Sequence, residues 1–128
     1  MNPEKKKILL ADDEKPLREL LKVILEKAGY DFFEAVDGKA AIDQVRKTFP
    51  DLIILDVNMP KMDGFTVLKN LKKNSATRNI PVIMLTTRAA FEDVEEGMEL
   101  DAETYLSKPF DPEKLLQAIQ QTFEVRGF

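Results

Sequence analysis

The chain contains no cysteine and no histidine among its 128 residues. Without cysteine there are no disulfides, no thiolate metal sites and no thiol catalysis. Without histidine, the commonest general base and the commonest zinc ligand are missing as well. Any chemistry must therefore use carboxylates, hydroxyls, lysines or a hard cation. The absence of cysteine also suits a reducing compartment, so we expect a cytoplasmic location.

The sequence also has no long hydrophobic run. It starts with a polar segment, residues 1–7, and the apolar run that follows covers only residues 8–11. A signal peptide needs a longer apolar stretch, and a membrane-spanning helix needs about 20 residues. We therefore expect a soluble protein that does not associate with a membrane.

The sequence contains 5 glycines and 7 prolines, too few for a collagen-like or low-complexity chain. Hydrophobic residues make up 44% and charged residues 33%, a mixture that can bury a core. The length predicts a single domain over residues 1–128. The net charge of −4 argues against a surface-wide nucleic-acid footprint, so we expect no direct contact with nucleic acid.

Short apolar runs alternate with amphipathic helical patterns along the whole chain. The predicted strands cover residues 8–11, 30–35, 52–55, 81–85 and 104–107. Asp37-Gly38 is predicted as a turn, Asp63 lies near the start of the third helix, and Asp111 caps the last one. The fourth helix is predicted from Phe91, Val94 and Met98. Five strand–helix units predict an α/β fold with a parallel sheet and helices on both faces.

Polar side chains follow four of the predicted strands. They are Asp12-Asp13, Asp56, Thr86-Thr87 and Lys108. Each alone has an ordinary explanation as a turn residue, a cap or a solvated charge. In an open α/β sheet, however, the carboxyl ends of the strands share one edge, where ligands bind.

Three carboxylates at one edge repel each other unless a divalent cation lies between them. Oxygen ligands favour Mg²⁺ or Mn²⁺. A cation together with the Lys108 ammonium and the Thr86 hydroxyl forms a receptor for a phosphoryl group. An aspartate in such a receptor can be the nucleophile that accepts it.

These residues resemble a response-regulator receiver domain, the CheY-like domain of two-component signalling. The resemblance rests on Ala11-Asp12-Asp13, on residues 56–64 (DVNMPKMDG), on Thr86 and on Lys108-Pro109-Phe110, and it covers about residues 5–123. The spacings from Asp56 to Thr86 and Lys108 match the family. The resemblance implies a doubly wound (βα)5 fold of three layers with the flavodoxin-like strand order 2-1-3-4-5.

The resemblance also implies a metal site and a phosphoacceptor. Asp56 would accept the phosphoryl group. Asp13, Asp56 and the backbone carbonyl of Asn58 would bind Mg²⁺ directly, and Asp12 would act largely through water. Mn²⁺ could substitute for Mg²⁺.

Further roles carry over to residues around that site. Lys108 would contact the phosphoryl group, Thr86 would be the switch hydroxyl, and Tyr105 would be the switch aromatic. Asn58 and Arg88 occupy the positions that flank the approach of the hydrolytic water. We expect Arg88 to shield the phosphoryl group and lengthen its lifetime.

The implied function is a signalling switch rather than a conventional enzyme. The domain would take its phosphoryl group from a phosphohistidine on a sensor histidine kinase or a histidine phosphotransfer protein. It would itself catalyse this transfer and the later dephosphorylation. The face formed by the fourth predicted helix, the fifth strand and the last helix would then change, controlling a downstream protein or domain or a phosphorylation-dependent homodimer.

Three alternatives remain to be weighed. A phosphatase of the haloacid-dehalogenase type needs a second aspartate where this chain has Asn58, and a flavin-binding module would place repulsive carboxylates beside its phosphate. A pseudo-receiver, which binds proteins without phosphorylation, is the more serious rival, and the intact polar set argues against it. One departure from the family is Asp101-Ala102, where a Gly-Ala pair is usual before the fifth strand.

Overall fold

A computed structural model of the chain describes residues 5–86 and 102–126. Its sheet contains five parallel strands in the order β2-β1-β3-β4-β5. The strands are β1 (Lys7–Ala11), β2 (Asp31–Ala35), β3 (Leu52–Asp56), β4 (Val82–Thr86) and β5 (Thr104–Ser107). The predicted strands and the strand order are confirmed, with boundaries that differ by one residue at several ends.

Four helices lie within the described residues. They are α1 (Lys15–Lys27), α2 (Gly38–Thr48), α3 (Gly64–Lys73) and α4 (Pro112–Val125). The helix predicted from Phe91, Val94 and Met98 lies outside the described residues, and so does Asp101. None of the described helices is long and apolar enough to cross a membrane.

Successive side chains of each strand point to opposite faces of the sheet, so one strand contributes to two cores. On one face, α2 and α3 pack over a cluster that includes Leu9, Ile53 and Met84. On the other face, α1 and α4 pack over a cluster that includes Leu10 and Ile54. Helices therefore cover both faces, which confirms the doubly wound, three-layered α/β fold. Burial on both faces also explains why the central strands are continuous apolar runs.

Aspartates begin three of the helices. The side chains of Asp37, Asp63 and Asp111 each accept a hydrogen bond from a backbone amide of the following turn, at 2.8, 2.8 and 2.9 Å. The cap at Asp111 and the start of the third helix near Asp63 are as predicted, and the structure adds that Asp63 is itself a cap. The prediction of a turn at Asp37-Gly38 was wrong. Gly38 is the first residue of α2, because the Asp37 carboxylate satisfies a free amide of the first helical turn.

Candidate functional site

The carboxyl ends of the central strands form one edge of the sheet. Ala11 on β1 pairs with Leu55 on β3, and Asp56 pairs with Leu85 on β4. The side chains that follow these pairs are consequently neighbours in space. The parallel register is what brings residues from distant parts of the sequence together here.

Three aspartates meet at this edge. Carboxylate oxygens of Asp12, Asp13 and Asp56 all lie within 4.8 Å of one another, and we call these residues the acidic cluster. Asp12 and Asp56 are buried, at 0% and 1% exposure, whereas Asp13 is exposed. The structure thus brings together the three carboxylates that sequence reasoning placed at this edge. Within residues 5–86 and 102–126, the acidic cluster offers hard oxygen donors alone, and that donor set fits Mg²⁺.

Lys108 supplies the positive charge of the site. Its Nζ lies 3.1 Å from Asp12 Oδ2 and 3.1 Å from Asp56 Oδ1, so one ammonium contacts both buried carboxylates. The Lys108 backbone amide donates to the Thr86 carbonyl at 2.7 Å, which ties the residue after β5 to the end of β4. The sequence predicted that Lys108 would reach this edge, but not that it would bridge two carboxylates.

The environment alters the acidity of both partners. Burial, followed by the charge of Asp12, raises the pKa of Asp56 from 3.8 to about 6, although the Lys108 ammonium and the Asn58 amide oppose this shift. Burial disfavours the charged form of Lys108, but the Asp12 and Asp56 carboxylates outweigh it and raise the pKa of Lys108. At neutral pH Asp56 is therefore ionised at an energetic cost to the folded state.

This cost predicts that the metal-free variant Asp56→Asn is more stable than the wild type at pH 7.5. In the unfolded chain Asp56 ionises above a pH of about 4, whereas in the folded chain it ionises only above about 6. At pH 7.5 this difference in pKa destabilises the folded state by about 2–3 kcal/mol. Loss of one partner of Lys108 reduces the net gain to about 1–2 kcal/mol. The gain should shrink as the pH falls through 6 and vanish below about 4, where both states are protonated.

Urea unfolding in the presence of EDTA measures this difference. The control is Asp43→Asn, which removes an exposed carboxylate of α2 and should change the free energy of unfolding by less than about 0.5 kcal/mol. A destabilised Asp56→Asn variant at pH 7.5 would contradict the prediction.

The loop after β3 folds back onto the strand that carries Asp56. The Asn58 amide donates to Asp56 Oδ1 at 3.2 Å, and the Gly64 amide donates to the Val57 carbonyl at 2.8 Å. A Cβ atom at Gly64 would lie 2.3 Å from the Asp56 carbonyl oxygen. Gly64 is therefore needed for this close approach of backbone to backbone. In the sequence, Gly64 is only the last residue of the motif at 56–64, and the Asp-Gly pair at the start of α3 is the one local signal of its role.

The two predicted switch residues lie on adjacent strands. Thr86 is the last residue of β4 and is 1% exposed, and Tyr105 is a partly buried residue of β5 that packs against the α2–α3 core. Tyr105 pairs with Met84, two residues before Thr86. Arg88, the residue predicted to shield the phosphoryl group, lies outside the described residues.

Comparison with known proteins assigns this arrangement to a family. The family model described as "Response regulator receiver domain" matches residues 8–120. The chain belongs to this family. The family indicated by the sequence resemblance, the receiver domain of two-component response regulators, is thus confirmed.

Two curated relatives show how much of a longer protein such a domain occupies. The "Phosphate regulon transcriptional regulatory protein PhoB" of Escherichia coli (strain K12) is 42% identical over 115 residues, which cover 90% of this chain and 50% of the relative. The "DNA-binding dual master transcriptional regulator RpaA" of Synechocystis sp. is 41% identical over 114 residues, covering 89% of this chain and 47% of the relative. This receiver domain spans about half the length of the curated relatives it matches.

Two solved structures share the whole fold. The chemotaxis protein CheY4 of Vibrio cholerae is 38% identical, with a TM-score of 0.85 and coverage of 91% of this chain and 98% of that one. The receiver domain of Francisella response regulator 1452 is 33% identical, with a TM-score of 0.87 and coverage of 95% and 99%. Receiver domains therefore occur among these relatives both within longer regulators and as almost the whole of a solved chain.

Proposed function

We propose that this receiver domain is a phosphoacceptor switch in which Asp56 receives a phosphoryl group. The observation that carries the proposal is the position of the Asp56 carboxylate, which is buried at the edge of the sheet between an ammonium and two further carboxylates. A structural ion pair would need only one carboxylate for Lys108. The extra negative charge is costly unless a cation binds, and this marks a functional site rather than a stabilising contact.

The transfer uses groups that the chain holds in place. An oxygen of the Asp56 carboxylate attacks phosphorus, the bond from phosphorus to the donor breaks, and the donor leaves with the electron pair of that bond. For a phosphohistidine donor, the leaving group is the imidazole, which then takes a proton. Lys108 already lies 3.1 Å from Asp56 Oδ1, where its charge stabilises negative charge on the transferring oxygens.

The residues that would hold Mg²⁺ are Asp13, Asp56 and the carbonyl of Asn58, with Asp12 acting largely through water. A bound Mg²⁺ relieves the repulsion within the acidic cluster and stabilises charge on the transferring group. The contacts of Asp12 support its indirect role, because Oδ1 accepts from the Glu14 amide at 2.8 Å and Oδ2 is held by Lys108. Mn²⁺ prefers similar oxygen ligands and would substitute.

None of the 128 residues is a histidine, so a phosphohistidine donor lies outside this stretch of sequence. We propose a sensor histidine kinase or a histidine phosphotransfer protein in the cytoplasm as the source. The output is a downstream protein or domain, or a homodimer that forms on phosphorylation. The chain catalyses its own phosphorylation and dephosphorylation, because its own side chains form the site that binds the phosphoryl group. The absence of direct contact between this chain and nucleic acid stays a prediction, since relatives named as DNA-binding regulators extend beyond it.

The experiment that tests this proposal uses a small phosphodonor. The protein is incubated with acetyl phosphate and Mg²⁺ and its intact mass is measured, with EDTA in a parallel sample. We expect the mass of one added phosphoryl group in the presence of Mg²⁺ and none with EDTA. If no mass is gained with Mg²⁺, the chain is a pseudo-receiver that binds proteins without phosphorylation.

The switch can be followed separately with beryllofluoride, which mimics the phosphoryl group. Because Thr86 follows the residue that pairs with Asp56, we expect its hydroxyl to move towards the mimic and Tyr105 to fill the vacated space. This is a population shift between existing states. Amide NMR shifts of both residues should change on adding beryllofluoride and Mg²⁺, whereas those of Tyr30, before β2 at the opposite edge, should not. Unchanged shifts at Thr86 and Tyr105 would refute the switch.

A further inference from the structure

Arg18 reaches from α1 to the backbone of the acidic cluster. Its NH1 donates a hydrogen bond of 2.8 Å to the carbonyl oxygen of Asp12. Only 12% of the Arg18 side chain is exposed, although α1 is a surface helix and Arg18 carries a full charge. A mostly buried guanidinium that donates to a main-chain carbonyl fixes the position of that carbonyl.

A second contact orients the guanidinium. Arg18 Nε lies 3.3 Å from Glu34 Oε1, on β2, and Lys22 Nζ lies 3.3 Å from the other oxygen, Oε2. Lys22 is also 2.7 Å from Glu19 on the outer side of α1. Because Glu34 holds one side of the planar fork, the NH1 donor on the other side is aimed at the loop after β1. Lys22 shares Glu34 with Arg18 but makes no described contact with Asp12.

The Arg18 contact completes the fixation of Asp12. The Asp12 amide donates to the Ala35 carbonyl at 3.1 Å, and the two carboxylate oxygens accept from the Glu14 amide and Lys108 Nζ. With the carbonyl held by Arg18, all four polar groups of the residue have partners. Asp13 is the next residue and is exposed, so its backbone is attached to a residue whose position is fixed by these contacts.

We propose that Arg18 is a positioning residue of the cation site, which holds the loop after β1 so that Asp13 presents its carboxylate to Mg²⁺. The proposal rests on the proposed function, in which the acidic cluster binds that cation. Partners that orient metal ligands commonly change metal affinity by 10–100-fold when they are removed, without touching the metal. Arg18 acts on the ligand-bearing backbone in the same way.

A merely electrostatic role for Arg18 predicts the opposite sign. A positive charge near a cation site repels the cation, so deletion of that charge should strengthen Mg²⁺ binding. A positioning role predicts that the same deletion weakens it, because the loop gains freedom that binding must then remove. The sign of one measured change therefore separates the two roles.

The test compares the Mg²⁺ dissociation constants of the wild type, Arg18→Met and Lys22→Met, measured by calorimetry and by NMR titration of the Asp13 amide. Lys22→Met is the matched control, since it removes a charge that also contacts Glu34 but leaves the Asp12 carbonyl bound. We expect Arg18→Met to bind Mg²⁺ about tenfold more weakly. We expect Lys22→Met to stay within about twofold of the wild type. All titrations are made well below the unfolding temperature, so a loss of global stability does not alter the result.

Equal or tighter binding of Mg²⁺ by Arg18→Met would overturn the positioning role. If this variant does not fold, Arg18→Lys decides, because it keeps the charge but replaces the fork with a single donor centre. Weaker binding by Arg18→Lys supports the proposal, and wild-type affinity overturns it. A wild-type protein that does not bind Mg²⁺ would instead refute the proposed function, and this inference would fall with it. The two failures are therefore distinguishable.

Discussion

Asp56→Asn is expected to abolish the incorporation of a phosphoryl group from acetyl phosphate, with a fall in rate of at least about 100-fold. The substitution keeps the size of the side chain and one oxygen. It removes the negative charge that makes the carboxylate a nucleophile. Since Asp56 is 1% exposed, an isosteric replacement is also the one that disturbs the surrounding core least.

Two further variants separate the acceptor from its surroundings. Asp43→Asn changes an exposed aspartate of α2 and should incorporate the phosphoryl group at the wild-type rate. Asp13→Asn removes a carboxylate of the acidic cluster while Asp56 remains, so it should still be phosphorylated but should require more Mg²⁺. Intact mass over time gives the rates, and peptide sequencing by mass spectrometry locates the phosphoryl group.

Phosphorylation of Asp56→Asn at the wild-type rate would contradict the assignment of the acceptor. A phosphoryl group located on Asp12 or Asp13 in the wild type would do the same. An Asp13→Asn variant that binds Mg²⁺ but is still not phosphorylated would show that the exposed carboxylate does more than bind the cation.

Much of the fold could be predicted from the sequence because its signals are local. Runs of aliphatic residues and helical spacing are properties of short segments, and so is the cap at Asp111. Where a local signal was ambiguous, the prediction failed. Asp37-Gly38 is typical of a turn, yet the same pair starts α2, and a Cβ atom at Gly38 would lie 2.4 Å from the Met62 carbonyl oxygen. That close approach depends on the packing of two distant segments.

For the candidate site, the sequence could predict which residues share the edge of the sheet, because that depends on topology alone. A parallel sheet places the residues after its strands at one edge, and this suffices to bring Asp12, Asp56 and Lys108 together. It does not fix which atoms meet. The position of the Lys108 ammonium between two carboxylates, and the hydrogen bond from Arg18 to the Asp12 carbonyl, depend on side-chain conformations in the packed structure. No spacing in the sequence encodes them.

Gly64→Ala is expected to impair both the stability and the chemistry of this domain. The added Cβ atom would lie 2.3 Å from the Asp56 carbonyl oxygen and 2.8 Å from Val57 Cα. These are backbone atoms of the strand end, which cannot rotate away as a flexible side chain would. Overpacking of a buried position costs about 1–3 kcal/mol, and we expect the upper end of that range here.

The same displacement should reach the acceptor. The Gly64 amide donates to the Val57 carbonyl at 2.8 Å, and the Asn58 amide donates to Asp56 Oδ1 at 3.2 Å, so the loop and the carboxylate move together. A misplacement of about 1 Å at a reacting group can lower a rate by about 100-fold. We therefore expect the folded fraction of Gly64→Ala to be phosphorylated by acetyl phosphate at least about tenfold more slowly than the wild type.

Gly29→Ala is the matched control for this effect. Gly29 lies between α1 and β2, at the opposite edge of the sheet, with a φ of 86° and nothing within 4 Å of a Cβ atom added there. Alanine at this left-handed position should cost about 1–2 kcal/mol without moving Asp56. Both variants should thus unfold at lower urea concentrations, while only Gly64→Ala loses phosphorylation rate per folded molecule. If Gly64→Ala reacts as fast as Gly29→Ala, the loop after β3 does not position the acceptor, and Gly64 serves the fold alone.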